Sequence, residues 1–106
     1  MRIRVSSPGH QLKSAEVDRI QKDLEKIDRR LQDRREEVLA EVRINQGNNG
    51  LPGFNVTIEL DYGRNHLRAK AEHIDMGQAV RSAREDILRQ INDRSRGGHS
   101  SFSKRI

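Results

Sequence analysis

The chain has 106 residues, 32% of them hydrophobic and 35% charged, with a formal net charge of +5 at pH 7. That length suits one domain, and a charged fraction above the roughly 25% usual in globular domains leaves apolar material for only a thin, two-layer core. The absence of cysteine excludes disulfides, thiolate nucleophiles and cysteine metal sites, and with Phe54, Tyr62 and Phe102 as the only aromatics there is no broad platform for stacking unpaired bases.

Met1, Ile3 and Val5 alternate with Arg2 and Arg4, the period of a half-buried strand, and Pro8-Gly9 ends it. From Ser14 to about Arg34, Val17, Ile20, Leu24, Ile27 and Leu31 recur at steps of three and four, which predicts a long amphipathic helix with Ser14 as its N-cap. The stripe is narrow enough for a coiled-coil seam, but only two heptads pass before strand patterns resume.

Val38, Ala40, Val42 and Ile44 alternate with Leu39, Glu41, Arg43 and Asn45 as a second strand. Residues 46–53, QGNNGLPG, read as a loop. Phe54, Val56, Ile58, Leu60 and Tyr62 form the most regular alternation, and Gly63-Arg64-Asn65 turns the chain into a fourth strand. There Leu67, Ala69 and Ala71 alternate with Arg68, Lys70 and Glu72, and such small inner residues require a closely packed neighbour. Asp75 and Gln78 have the spacing of a capping box, opening a second helix whose stripe is Met76, Val80, Ala83, Ile87 and Ile91.

These elements predict an α+β fold of order β-α-β-β-β-α, a two-layer sandwich in which both helices lie on one face of a four-stranded sheet. The connection through the first helix sets the first strand parallel to a neighbour by a right-handed crossover, and the later strands form hairpins. The domain spans residues 1–94. Residues 95–106 lack an apolar period and form a flexible basic tail, whose Arg96, Lys104 and Arg105 leave the first 94 residues with a net charge of only +2.

A basic surface must therefore come from arrangement. On the first helix Arg19, Lys22, Lys26 and Arg29 recur at steps of three and four nearly opposite the apolar stripe, a pitch that can follow a phosphate backbone. Intrahelical pairs such as Asp18–Lys22 and Lys22–Glu25 would instead make it an ordinary solvated face. On the second helix Arg81, Glu85 and Arg89 stand four apart and can pair among themselves. The strand residues Arg2, Arg4, Arg43, Arg68 and Lys70 share the helix-free face with Glu41, Glu59 and Glu72, a mixed surface on which only Arg2 and Arg4 have no acid nearby in sequence.

Nothing indicates catalysis. His10, His66, His73 and His99 are scattered without metal-ligand spacing, no serine sits in a nucleophile elbow, and 47–53 lacks the lysine and following helix of a phosphate-binding loop. The expectation is a protein without cofactor, metal or small-molecule substrate. Lacking a membrane-length apolar run or a signal-peptide core, it is expected in the cytoplasm.

Ala69-Lys70-Ala71-Glu72, Asp75-Met76, Ala79-Val80, Ile87 and Arg89-Gln90-Ile91 resemble the closing strand and helix of the ribosome hibernation factors. This family includes the hibernation-promoting factors and ribosome-associated inhibitors, formerly sigma-54 modulation proteins. Leu24-x-Lys26-Ile27, followed by Arg29 and Leu31, resembles its first helix, and the likeness covers most of residues 1–95.

The resemblance implies a double-stranded-RNA-binding-domain-like fold that lodges between the head and body of the small ribosomal subunit. There it binds ribosomal RNA and silences translation by occupying the messenger and transfer RNA channel. It makes Lys22, Lys26, Arg29 and Arg89 the leading phosphate contacts, with Arg19 and Arg81 completing the candidate set, and a monomer off the ribosome. The chain departs from the family pattern at Asp86 and Asp93, where many members carry lysine, and at Gly77, where they carry an aromatic. Longer members have a further C-terminal domain for which this chain is too short. Two other functions fit the residues: a protein-interaction or regulatory module using the outer helix or the tail, and a double-stranded RNA binder outside the ribosome.

Overall fold

Every run of alternating apolar residues is a strand, and both three-and-four stripes are helices. The computed structural model describes residues 1–9, 11–32, 37–47 and 52–95. Its elements are β1 (Arg2–Ser6), α1 (Ser14–Arg30), β2 (Val38–Gln46), β3 (Phe54–Tyr62), β4 (Asn65–His73) and α2 (Met76–Ser95). The sheet order is β1-β2-β3-β4, with β1 parallel to β2 and the other pairs antiparallel. This is the predicted β-α-β-β-β-α arrangement.

The register puts like with like. Val42, Ile58 and Ala69 form one transverse row of the inner face, and Ala40, Leu60 and Leu67 form the next. All six are buried, together with Ile20, Leu24 and Ile27 of α1, Leu31 at its C-cap, and Ala79, Val80, Ala83, Ile87 and Ile91 of α2. The narrow stripe of α1 is thus consumed by the core of its own chain from Ile20 onward, while Val17 stays half-buried outside it. Small residues on β4 and α2 let that helix lie close over β3 and β4. Gly63 has φ 58°, the left-handed geometry demanded by the tight β3–β4 turn.

The helix ends differ from expectation in three ways. The N-cap of α1 is Lys13, and Ser14 is already helical. Glu16, at the third helical position, forms the reciprocal half of a capping box, its Oε1 accepting the Lys13 amide hydrogen at 2.9 Å. At the other end Leu31 is the C-cap, its amide donating to the Ile27 and Asp28 carbonyls at 3.1 Å each, so α1 stops at Arg30 rather than near Arg34. At α2 the Asp75 carboxylate does accept the Gln78 amide at 3.1 Å, but the reciprocal partner is His73. The Asp75 amide donates to His73 Nδ1 at 3.0 Å, tying the end of β4 to the start of α2. Most of the tail, and the centre of the 46–53 loop, lie outside the described residues.

Because β1 and β2 run in one direction and β3 and β4 alternate, α1 and α2 are parallel. Asp23 meets Arg81 and Arg84 midway, and Arg30 Nε donates to Asn92 Oδ1 at 3.0 Å near both C-terminal ends. Ile87 is fully buried at the centre of the α2 stripe. Ile87→Ala should lower unfolding free energy by about 2–5 kcal/mol in a urea titration, leaving the far-ultraviolet spectrum native.

Candidate nucleic-acid interface

Helix α1 carries five acids, Glu16, Asp18, Asp23, Glu25 and Asp28, against five bases, Arg19, Lys22, Lys26, Arg29 and Arg30, so its composition is neutral. Tertiary structure separates the signs. Glu16 caps the helix, Asp28 lies 3.5 Å from the N-terminal ammonium of Met1, and Asp23 turns toward α2. Asp18 and Glu25 are exposed and make no ion pair among the described residues. Arg19, Lys22, Lys26 and Arg29 stay exposed, and among the described residues none of the four side chains has an ion-pair or hydrogen-bond partner. The Asp18–Lys22 and Lys22–Glu25 pairs do not form. The result is a row of four unneutralised cations along roughly 15 Å of helix axis.

On α2 the expected Arg81–Glu85–Arg89 ladder is absent. Glu85 pairs with Arg84 at 2.9 Å, and Arg89 pairs with Asp86 at 3.6 Å while keeping 71% of its side chain exposed. Arg81 reaches across to Asp23 at 3.8 Å. Thus the six candidate residues separate by environment: four open cations on α1, an exposed but paired Arg89, and Arg81 drawn into the interhelical seam.

That seam has its own polar centre, which periodicity alone does not reveal. Arg84 is buried within the otherwise apolar face of α2, its Nη1 lying 3.8 Å from Asp23 Oδ1 and donating to the Asp23 carbonyl at 3.3 Å. One carboxylate therefore faces two guanidiniums from the neighbouring helix. In the sequence Asp23 is one of several acids on α1, and only its position on the shoulder beside Ile20 and Ile27 hinted at this. Gln90 contributes a second lock, donating to the Arg68 carbonyl at 2.8 Å and fastening α2 to β4.

On the helix-free side, Arg2 is not the isolated base that its sequence neighbours suggest. Its Nε lies 3.1 Å from Glu37, just ahead of β2. Arg68 lies 3.6 Å from Glu59, while Arg4, Arg43 and Lys70 make no ion pair among the described residues. No group of three or more acidic or histidine side chains with metal-binding geometry occurs among the described residues.

Comparison with known proteins identifies this architecture. The family described as Sigma 54 modulation protein / S30EA ribosomal protein matches residues 3–96. The chain belongs to that family. Among solved structures, the N-terminal domain of Protein Y from Thermus thermophilus is similar with a TM-score of 0.73 at 21% identity, covering 86% of this chain and 96% of that one. A ribosomal subunit interface protein from Coxiella burnetii has a TM-score of 0.73 at 18% identity, covering 90% and 98%. No curated protein gives a significant match.

Two residues of α2 shape the charge on that helix. Asp86 pairs with the exposed Arg89. Gly77 leaves room for Arg81: a Cβ there would lie 3.3 Å from Arg81 Nη1, beside the guanidinium that leans toward Asp23.

Two outcomes follow. Asp23→Ala should cost about 1–3 kcal/mol of stability in denaturant unfolding, because buried Arg84 keeps only Glu85 as its acidic partner. Separately, the His66–Asp61 hydrogen bond (2.5 Å) and the carboxylate charge raise the pKa of His66 above the ordinary 6.5. The stability contributed by this pair is fully present below the unfolded-state value and fades as pH rises through the raised folded-state value. An NMR titration should find the His66 midpoint above 6.5 in the native protein and closer to 6.5 in Asp61→Asn.

Proposed function

We propose that this domain binds the small ribosomal subunit through phosphates of its RNA and silences translation by occupying the messenger and transfer RNA channel, without chemistry. The observation that supports the reading is the row Arg19, Lys22, Lys26 and Arg29, which remains exposed and unpaired while most acids of the same helix are engaged elsewhere. Cations free of internal carboxylates give up no protein ion pair on meeting phosphate, and each phosphate they neutralise releases counterions. With few aromatics, mostly turned into the core, recognition rests on shape and charge rather than base stacking.

Arg89, exposed on α2, extends the contact by exchanging Asp86 for a phosphate. Arg81 first has to leave Asp23, so its part is to hold the two helices in register beside the RNA. Residues 1–94 form the binding unit and 95–106 a basic tail; the protein acts in the cytoplasm as a monomer until it meets the ribosome. Among the described residues no helix is long and apolar enough to cross a membrane.

The test is co-sedimentation with purified small subunits across a salt series. The triple reversal Lys22→Glu, Lys26→Glu, Arg29→Glu should keep the native circular dichroism spectrum and lose salt-sensitive association. The wild-type protein should bind with an affinity that falls steeply with salt, whereas a mainly apolar protein interface would be nearly insensitive to it. Unchanged sedimentation of the reversed variant overturns the assignment of α1 as the contact surface. Stronger binding to free duplex RNA than to intact subunits would move the partner off the ribosome.

A further inference from the structure

The open face of the sheet carries a second charged surface, and its pattern emerges only through the strand register. Residues of this face line up across the strands in transverse rows. One row reads Arg4, Glu41, Glu59, Arg68, in which two acids sit between two bases and Glu59 is held by Arg68 at 3.6 Å. Its signs cancel.

The adjacent row reads Ser6, Arg43, Thr57, Lys70: two bases, two hydroxyls and no acid. Arg43 and Lys70 stand two strands apart, about 10 Å across the sheet, both exposed and without an ion-pair partner among the described residues. The next row contributes the cross-strand pair Asn45 and Asn55, followed by Glu72.

These side chains line a broad depression of about 900 Å³ running from Pro8 and Gly9 past Arg43 and Thr57 to Lys70. Among the described residues its lining has Arg43 and Lys70 without an ion-pair partner, Arg68 held by Glu59, and one carboxylate, that of Glu72. A solvated sheet surface normally intersperses its signs so that cross-strand neighbours pair. Here one row does so and its neighbour does not, which leaves an uncompensated positive band in the floor of a concavity.

We infer that this band is a second nucleic-acid site, a cradle for the phosphodiester backbone of single-stranded RNA, in which Arg43 and Lys70 hold phosphates and Asn45 and Asn55 hydrogen-bond base edges. The inference deepens the RNA-binding reading and rests on it for the identity of the polyanion. A concave strip with uncompensated cations about 10 Å apart admits one backbone, whereas the convex row on α1 lies against a folded RNA surface. No aromatic lines this depression among the described residues, so affinity comes from phosphate contacts that are indifferent to sequence, and base preference is limited to what Asn45 and Asn55 read. The two surfaces lie on opposite sides of a body whose Cα dimensions are 44 × 32 × 18 Å. A domain this thin would be held between two RNA segments.

The test uses the full chain and a fluorescein-labelled oligouridylate, which has no stable duplex form. Fluorescence anisotropy should give salt-dependent binding, and amide chemical-shift changes should concentrate at Arg43, Thr57, Lys70, Asn45 and Asn55. Arg43→Gln with Lys70→Gln should weaken binding by about tenfold or more and flatten the slope of log affinity against log salt by about 1.4, as expected for the loss of two single-strand phosphate contacts. A native melting curve would confirm that this variant folds.

Absence of binding by the wild-type chain, shifts confined to α1, or unchanged affinity in the double variant would each overturn the cradle. The α1 reading is judged separately, by subunit co-sedimentation of the Lys22, Lys26 and Arg29 reversal. Loss there with an inert sheet face rejects only this inference. A responsive sheet face with normal sedimentation of the α1 variant rejects only the α1 assignment.

Discussion

Everything in this molecule follows from covering one face of a small sheet and leaving the other open. With only about a third of its residues apolar, the chain can bury one sheet face and one stripe of each helix, and no more. The apolar rows Val42–Ile58–Ala69 and Ala40–Leu60–Leu67 supply that face, and the two helices close it. Two broad polar surfaces remain, the outward side of the helix layer and the helix-free side of the sheet. The charge distribution on each is then decided by which acids the fold has engaged elsewhere.

The parallel packing of the helices does much of that engaging. Arg84 is a buried cation in an apolar interface, an arrangement that persists only with acceptors close by. Asp23 and Glu85 supply them. By turning inward Asp23 also leaves the outer row of α1, and Arg81 follows it. One interhelical cluster therefore both joins α1 to α2 and removes negative charge from the surface that Lys22 and Lys26 dominate. The absence of a side chain at Gly77 belongs to the same arrangement, since it leaves the space beside the Arg81 guanidinium open.

Electrostatics differ between the two polar surfaces for a geometric reason. A helix displays neighbours at steps of three and four, so α1 can hold its bases in a single line while acids occupy its flanks. A sheet displays neighbours across strands that are distant in sequence. Whether Arg43 faces an acid or a threonine depends on the β2–β3 register, and shifting that register by one residue would turn every side chain to the opposite face.

Much of the architecture was legible in the residues. Strand alternation, the two helical stripes and the Gly63 turn specify the element order and both buried faces, because apolar period reflects local geometry directly. The exposed row on α1 was readable on the same grounds. Cap details were less so: Lys13 and His73 act through backbone geometry and through partners that side-chain preference does not single out. Charge pairing was least legible. Asp23 meets Arg81 and Arg84 across some sixty residues of sequence, Arg2 meets Glu37, and the unbalanced row through Arg43 and Lys70 exists only once β2, β3 and β4 are aligned. The sequence by itself determined what is buried, since burial follows a period that each segment carries alone. Which charges are cancelled and which are left facing solvent was decided by tertiary structure, because a charge is neutralised by whatever lies a few ångströms away in space.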